Sequence, residues 1–374
     1  MKVALVHDWL NTKQGGGEKV LMEMATIFPN APIYTLLYDG SVFNGRIDST
    51  RIRPSSLQCW PVFLRKRPRY LLPWLPAAIE QFDLSEYDLV ISSSSAFAKG
   101  VITKPGTLHI CYCHSPMRFV WDYWPAYVHE QRVGPLRRAV MYALTSNVRQ
   151  WDYMSAARVD RWIANSKTTA GRIAKYYRVK VDAMIYPGAD IEHFTPVEHK
   201  GSYFVTLSSL TPYKKIDVAI AACNKAGVEL VVIGDGADRQ RLEQLAGPTI
   251  RFAGRVSDHD RSSLLAGAKA LIFPNEEDFG IAPIEAMASG TAVIAYRKGG
   301  LTETVEEGIT GVFFDTQTVD ELAELVQKFN PKDFKQSDLV SRAQQFSSAV
   351  FRKHFKADVE AAYKTHKAEH HGQN

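Results

Sequence analysis

The sequence predicts an α/β protein built as two parallel-sheet domains. Three observations carry this: short apolar runs alternate with amphipathic stretches, the alternation stops at one turn-forming break and then resumes, and 374 residues exceed the length over which a single core usually keeps growing. VALV at 3–6 is a first buried strand, and EKVLMEMATIF at 18–28 has the spacing of a helix covering it. DLVISSS at 88–94 and TLHICYC at 107–113 continue the strand series. Tyr186-Pro187-Gly188 is the break, which sets a first domain at 1–187 and a second at 188–345. After it come YFVTLSS, the helical IDVAIAACNKAG, VELVVIG, IRFAG, LLAGAKALIFP and AVIAY. From Phe346 to Lys367 the pattern is helical, with Phe346, Val350, Phe351 and Phe355 on one side, and 368–374 reads as a frayed tail holding His370 and His371. Open α/β sheets bind ligands outside the carboxyl ends of their strands, so two such domains are expected to face an interdomain cleft.

Composition narrows the class. Hydrophobic content of 45% with 23% charged residues is ordinary for a folded globular chain, and no apolar run reaches membrane-spanning length. MKVALVHDWL turns polar too soon for a signal peptide, so a cytoplasmic protein is expected. Cys59, Cys111, Cys113 and Cys223 have neither zinc-site nor disulfide spacing and read as free thiols. A net charge of +5 over this length does not mark a nucleic-acid binder.

The most informative stretch is LIFPNEEDFGIAPIEAMASGTAVIA at 271–295. A strand ends at Pro274, an acidic turn follows, and Gly280 opens a helix whose N-terminal amides suit an anionic diphosphate. Glu277 ends the turn and Glu285 is placed in the helix's first turn, so two carboxylates could accept hydrogen bonds from a polyol. Taken alone, they read equally as a solvated loop acid and a complement to the helix dipole. Lys214 and Lys215 follow YFVTLSSL through Thr211-Pro212-Tyr213, where a lysine can meet a diphosphate or remain solvated. Gly15, Gly16 and Gly17 precede Glu18 at the first strand's carboxyl end, but the P-loop pattern is absent. Gly234 and Gly236 begin a dinucleotide-like run whose third glycine is replaced by Arg239, so no NAD site is expected. His114 follows TLHICYC. Asp258 and Asp260 form an Asp-x-Asp that reads as helix-capping and first-turn acids rather than metal ligands.

The frame E-D-F-G-I-x-P-x-E-A-M-A-x-G-T-x-V-I-A resembles the donor-site signature of the retaining family 4 glycosyltransferases, which have the GT-B fold of two Rossmann-like domains. VHDWL with GGGE, YCHSPMRFVWDYW, IANSKTTAGRIAKYY, YPGADIEHFTP, SLTPYKKID and VVIGDGADRQRLE extend the resemblance, which is nearest to bacterial mannosyltransferases of O-antigen and polysaccharide assembly. It implies a retaining hexosyltransferase, with GDP-mannose as donor and a polyprenyl-diphosphate-linked saccharide as acceptor, and with no cofactor or metal. Catalytic roles would fall to Glu277, His114 and Lys214. Donor contacts would come from Gly16, Gly17, Lys214, Lys215, Arg255, Val256, Glu277, Phe279, Gly280, Ile281 and Glu285, with Glu277 on the sugar and Glu285 on the ribose. Trp9, Glu18, Arg118, Trp121 and Asp122 would shape acceptor binding, the aromatics either stacking on sugar rings or packing in the core. One departure stands out: Ser209 occupies a position where these enzymes usually carry an arginine. In GT-B enzymes the last helix crosses back to the N-terminal domain.

Two segments combine cations with aromatic or apolar residues. Residues 60–76 hold Arg65, Lys66, Arg67 and Arg69 with Trp60, Tyr70 and Trp74; residues 132–151 hold Arg132, Arg137, Arg138 and Arg149. Such mixtures suit an anionic membrane surface, at about 1 kcal/mol per basic residue, or else form solvated faces. A peripheral location on the inner face of the plasma membrane is therefore expected.

Overall fold

The computed structural model describes residues 1–11, 15–43, 47–124 and 134–371. The chain divides into two compact units, residues 1–186 with 351–374, and residues 187–350. Strands of the first unit are β1 (Val3–His7), β2 (Ile33–Thr35), β3 (Ile52–Pro54), β4 (Leu89–Ser94), β5 (Leu108–Cys113), β6 (Arg161–Ala164) and β7 (Ala183–Met184), all parallel in the order β3-β2-β1-β4-β5-β6-β7. Its longer helices are α1 (Gly16–Ile27), α2 (Pro135–Ser155) and α3 (Lys167–Tyr176).

β1 shows how sequence becomes packing. Successive side chains leave opposite faces of a strand, so Leu5 enters one apolar cluster while Ala4 and Val6 enter the other. Being buried on both faces, the strand reads as a continuous apolar run, as parallel sheets require. On the Leu5 face α1 contributes Val20, Leu21 and Met24; the opposite face holds Leu71, Leu75, Ile79, Phe97 and Val148.

The second unit repeats the plan with β8 (Phe204–Leu207), β9 (Leu230–Ile233), β10 (Ile250–Gly254), β11 (Ala270–Phe273), β12 (Ala292–Tyr296) and β13 (Gly311–Phe314), in the order β10-β9-β8-β11-β12-β13. Its longer helices are α4 (Ile216–Ala226), α5 (Arg239–Leu245), α6 (Asp258–Ala266), α7 (Ile281–Ala288), α8 (Val319–Lys328) and α9 (Gln336–Gln344). Ile216, Ile220 and Cys223 of α4 and Leu322 and Val326 of α8 cover one face of this sheet. Both units thus have a Rossmann-like arrangement in which the strand order reverses beside the first strand, between β1 and β4 and between β8 and β11. A reversal point of this kind leaves a crevice at the strands' carboxyl ends.

α10 (Ser348–His371) ends the chain and places Phe351, Phe355 and Val359 in the cluster beneath β1, with Arg161 bound to Asp358 at 2.6 Å. The helix begins two residues after Phe346 and runs past Lys367, through the segment expected to fray. Ala368 and Glu369 are good helix formers, and nothing at Lys367 stops propagation. The side chains of His370 and His371 lie outside the described residues, as do those of Arg69 and Arg137. Cys111, Cys113 and Cys223 are buried free thiols and Cys59 is an exposed one.

Candidate functional site

The second unit's reversal point is built from the loops after β8 and β11. Gly234 and Gly236 hold the first of these loops in place, because a Cβ at Gly234 would lie 1.8 Å from the Ser208 carbonyl oxygen and one at Gly236 2.2 Å from that of Leu210. Leu210 N–H donates to Asp235 O and Asp238 N–H to Leu210 O, at 3.1 and 3.0 Å. The glycines therefore allow close backbone packing between the loops after β8 and β9. The loop tightens into a short turn, Pro212–Lys214, and Lys215 adopts φ +54° at the start of α4, an αL conformation that a side-chain-bearing residue adopts at a cost. Lys214 is thereby turned inward, over the Tyr213 ring and into an ion pair with Glu277 Oε1, while Lys215 and Ser209 are exposed.

Glu277 is fixed from three directions. Its backbone pairs in parallel with Gly299, and Gly300 N–H donates to its carbonyl at 2.8 Å. Only glycines allow this approach, since a Cβ at Gly299 would sit 2.1 Å from Glu277 O and one at Gly300 2.4 Å from Asp278 O. Asn275, wholly buried, donates its Nδ2 to Glu277 Oε1 at 3.0 Å. Lys214 supplies the charge. The sequence did not single out Asn275 or the Gly299-Gly300 pair, which follows β12 after Arg297 and Lys298.

Beyond Glu277 the chain turns at Gly280, φ +91°, and α7 begins at Ile281. Two expectations change here. Phe279 is 3% exposed and packs edge-on against Phe346 at 5.6 Å, so only its backbone is left to face a ligand. Glu285 is the fifth residue of α7, beyond the first turn, because the helix starts at Ile281; it too is 3% exposed and lies 3.4 Å from Arg261. Arg255 lies 3.7 Å from Asp235, with Val256 half-buried beside it. Ser257, not an aspartate, caps α6 by accepting Asp260 N–H at 3.1 Å, and Asp258 and Asp260 both fall in the first turn. Among the described residues no group of three or more His, Cys, Asp and Glu is placed to hold a metal ion.

In the first unit the reversal point gathers His7, Ser93 and His114. Ser93 Oγ is 2.8 Å from His114 Nε2 and 3.1 Å from His7 Nδ1. Burial, reinforced by His7, pushes the His114 imidazole down to about 3, so it is neutral at physiological pH. A Cβ on Gly17 would lie 3.7 Å from both imidazoles, so the first turn of α1, where Gly16 also lies, runs beside them. Asp8, 1% exposed, accepts four backbone N–H groups, from Ser95, Ala96, Phe97 and Ala98 at 2.6–3.0 Å, and the Ser95 hydroxyl at 2.9 Å. His7 and Asp8 were missed in sequence because their partners lie more than 80 positions away, and Ser93 because one of its partners is His7.

The residues expected at the acceptor are mostly engaged within the unit. Glu18 accepts Gly15 N–H at 2.8 Å and so caps its own helix. Trp9 packs near Phe97. Trp121 stacks on Tyr176 at 4.8 Å and donates its indole N–H to Asp152, which also pairs with buried Lys99. Its N–H and one ring face are therefore committed to packing. Arg118 and Arg172 flank Asp122 at 3.6 and 3.1 Å.

The two basic segments are not uniformly basic outward. Arg65 donates to Trp60 O at 3.0 Å and Arg149 to Val120 O at 2.7 Å, so both turn toward backbone carbonyls of the protein. Phe63 is 67% exposed, Tyr70 and Trp74 about half exposed, and Leu136 79% exposed. Lys66, Arg67 and Arg138 are exposed, whereas Arg132 lies outside the described residues. No helix among the described residues is long and apolar enough to cross a membrane.

Known proteins agree with this architecture. The family described as Glycosyltransferase Family 4 matches residues 14–193, and that described as Glycosyl transferases group 1 matches residues 189–346. A D-inositol 3-phosphate glycosyltransferase of Streptomyces scabiei is 27% identical over 186 residues, 41% of this chain and 42% of that protein; a glycogen synthase of Pseudomonas fluorescens is 31% identical over 131 residues, 32% and 24%. The chain thus spans less than half the length of these curated relatives. Among solved structures, the sucrose-phosphate synthase of Thermosynechococcus elongatus superposes with a TM-score of 0.76 at 17% identity, covering 98% of this chain and all of that one. Anabaena Alr3699/HepE in complex with UDP gives 0.69 at 16%, covering 96% and all of that chain. At such identities the likeness speaks for the fold. With the two family matches running from residue 14 to residue 346, the chain belongs to the family 4/group 1 glycosyltransferases of the GT-B fold.

Proposed function

We propose that the protein is a retaining hexosyltransferase that moves a sugar from a nucleoside diphosphate to a lipid-linked saccharide. The observation that carries this is the meeting of Lys214 and Glu277 at the reversal point of the second sheet. The sugar C1–O bond breaks with its electron pair going to the departing diphosphate, whose charge Lys214, Lys215 and the amides at Gly280 and Ile281 stabilise. Lys214 then exchanges its carboxylate partner for phosphate. The freed Glu277 carboxylate accepts hydroxyls of the sugar, Glu285 receives the ribose, and neutral His114 offers hydrogen bonding without charge. An acceptor oxygen bonds to C1 on the face the diphosphate leaves, and its proton passes to that diphosphate. No metal is required in this scheme, because cations and amides already oppose the leaving group.

GDP-mannose is our first donor, from the resemblance in sequence. A UDP-sugar is the second, favoured by the UDP in HepE. A polyprenyl-diphosphate-linked acceptor on the inner face of the plasma membrane would be met through exposed Phe63, Tyr70 and Trp74 with Lys66 and Arg67, and through α2 with Leu136 and Arg138. The test is mass spectrometry of polyprenyl-diphosphate-linked saccharides incubated with the purified protein, EDTA and each donor in turn. One added hexose from a single donor establishes transfer, donor and metal independence together. No product from any donor, with the nucleotide still bound, overturns the transferase reading. Sedimentation with anionic but not neutral vesicles tests the surface.

A further inference from the structure

The geometry points to Arg261 as the residue that positions Glu285 and so sets how strongly the site distinguishes an intact ribose from one without hydroxyls. The inference rests on the reading above, in which Glu285 receives the ribose.

A carboxylate buried to 3% exposure needs polar or charged groups around it to offset its lost hydration. Arg261, on α6, brings its Nε to 3.4 Å from Glu285 Oε2. The guanidinium is held on two other sides: Nη1 lies 3.2 Å from Asp258 one turn earlier, and its carbon lies 5.5 Å from the centre of the Phe194 ring. Nε is itself buried and makes no hydrogen bond, so it meets the carboxylate as a charge contact. Asp258 and Phe194 thus aim the cation at Glu285 from outside the site. A carboxylate restrained on one oxygen presents its other lone pairs in a constant direction, which two adjacent hydroxyls of a ribose can use together. Without the cation the carboxylate would turn toward other donors, and the ribose would lose the gain while base and phosphate contacts remain.

The measurement is calorimetric affinity for UDP and GDP against their 2′,3′-dideoxy forms, in wild type, Arg261→Met, Arg261→Lys and Glu285→Gln. Wild type should prefer the intact ribose by roughly 10- to 100-fold, the scale of hydrogen bonds to a charged group. Arg261→Met, which keeps bulk against Phe194, should bring the preference within about threefold, and Arg261→Lys should keep much of it, since charge is retained on a narrower head. If Arg261→Met does not fold, Arg261→Gln takes its place. Equal weakening of both nucleotide forms would make Arg261 merely structural and overturn the inference while leaving Glu285 in its role. Equal preference in wild type and Glu285→Gln, or no binding of either nucleotide, would overturn the ribose reading and this inference with it.

Discussion

Removing the Glu277 side chain should be felt by the sugar far more than by the nucleotide, because the carboxylate is engaged by Lys214 and Asn275 and is free of the base and ribose contacts assigned elsewhere. A hydrogen bond to a charged group is worth about 1.5–3 kcal/mol, so Glu277→Ala should slow transfer roughly 10- to 150-fold. Nucleoside diphosphate affinity should change little, or rise, since Lys214 is released to phosphate. A rate within twofold of wild type would remove Glu277 from the mechanism. Asp8 makes a contrasting prediction, about folding. Asp8→Ala strands four backbone N–H groups at the end of β4, and at about 1–3 kcal/mol for each unsatisfied buried group the loss should exceed about 4 kcal/mol. Asp8→Asn, which keeps one acceptor oxygen, should lose distinctly less, and urea midpoints would rank the two.

At the scale of elements, the position of Glu277 depends on a loop from the next strand. Gly300→Ala would drive a Cβ to 2.4 Å from Asp278 O and 2.5 Å from Phe279 Cα, so the acidic turn must shift. Transfer should fall by more than tenfold while the β-sheet core survives. Gly308→Ala is the control for backbone strain alone, because its φ of +76° costs a side chain about 1–2 kcal/mol while its Cβ meets nothing within 4 Å; Gly300, at φ −65°, carries the contact without that strain. Circular dichroism and transfer rates of the pair separate strain from displacement; equal rates would show that Gly299-Gly300 does not support the site. This loop also shows where the sequence is legible. Strand ends, breakers and Glu277 or Lys214 beside them can be read along the chain, because each is a local pattern of apolar run, turn and charge. Asn275, Gly300 and Arg261 could not be assigned roles in the same way, since each acts through a partner fixed only when strands align. Trp121 shows the converse: its indole reads as wholly available until Asp152 and Tyr176, distant in sequence, take its N–H and one face.

For the whole molecule, two sheets of the same strand order put the candidate groups at two reversal points, and burial on both faces of each sheet makes the strands apolar. The exceptions are polar groups that stability cannot leave charged. His109 is the second residue of β5, wholly buried, with Nε2 2.9 Å from Ser92 Oγ and Nδ1 3.2 Å from Arg158 O. Burial pushes its imidazole down to about 4, outweighing the opposing pull of the Arg158 carbonyl and Asp160. Because the folded value lies below the ordinary 6.5, the neutral form is the one that folding favours. Its contribution is complete above pH 6.5 and is lost as pH falls from there toward 4, when the unfolded chain takes up the proton first. At 1.36 kcal/mol per unit this amounts to about 3 kcal/mol. His109→Gln should be less stable than wild type at pH 7.5, yet the gap should narrow steadily by pH 4.5. His114, depressed in the same direction, should leave a remaining slope in that variant. Urea unfolding at pH 7.5, 6.0 and 4.5 would show it, and a gap that stays constant across the three would mean that His109 is not the buried neutral group the fold requires.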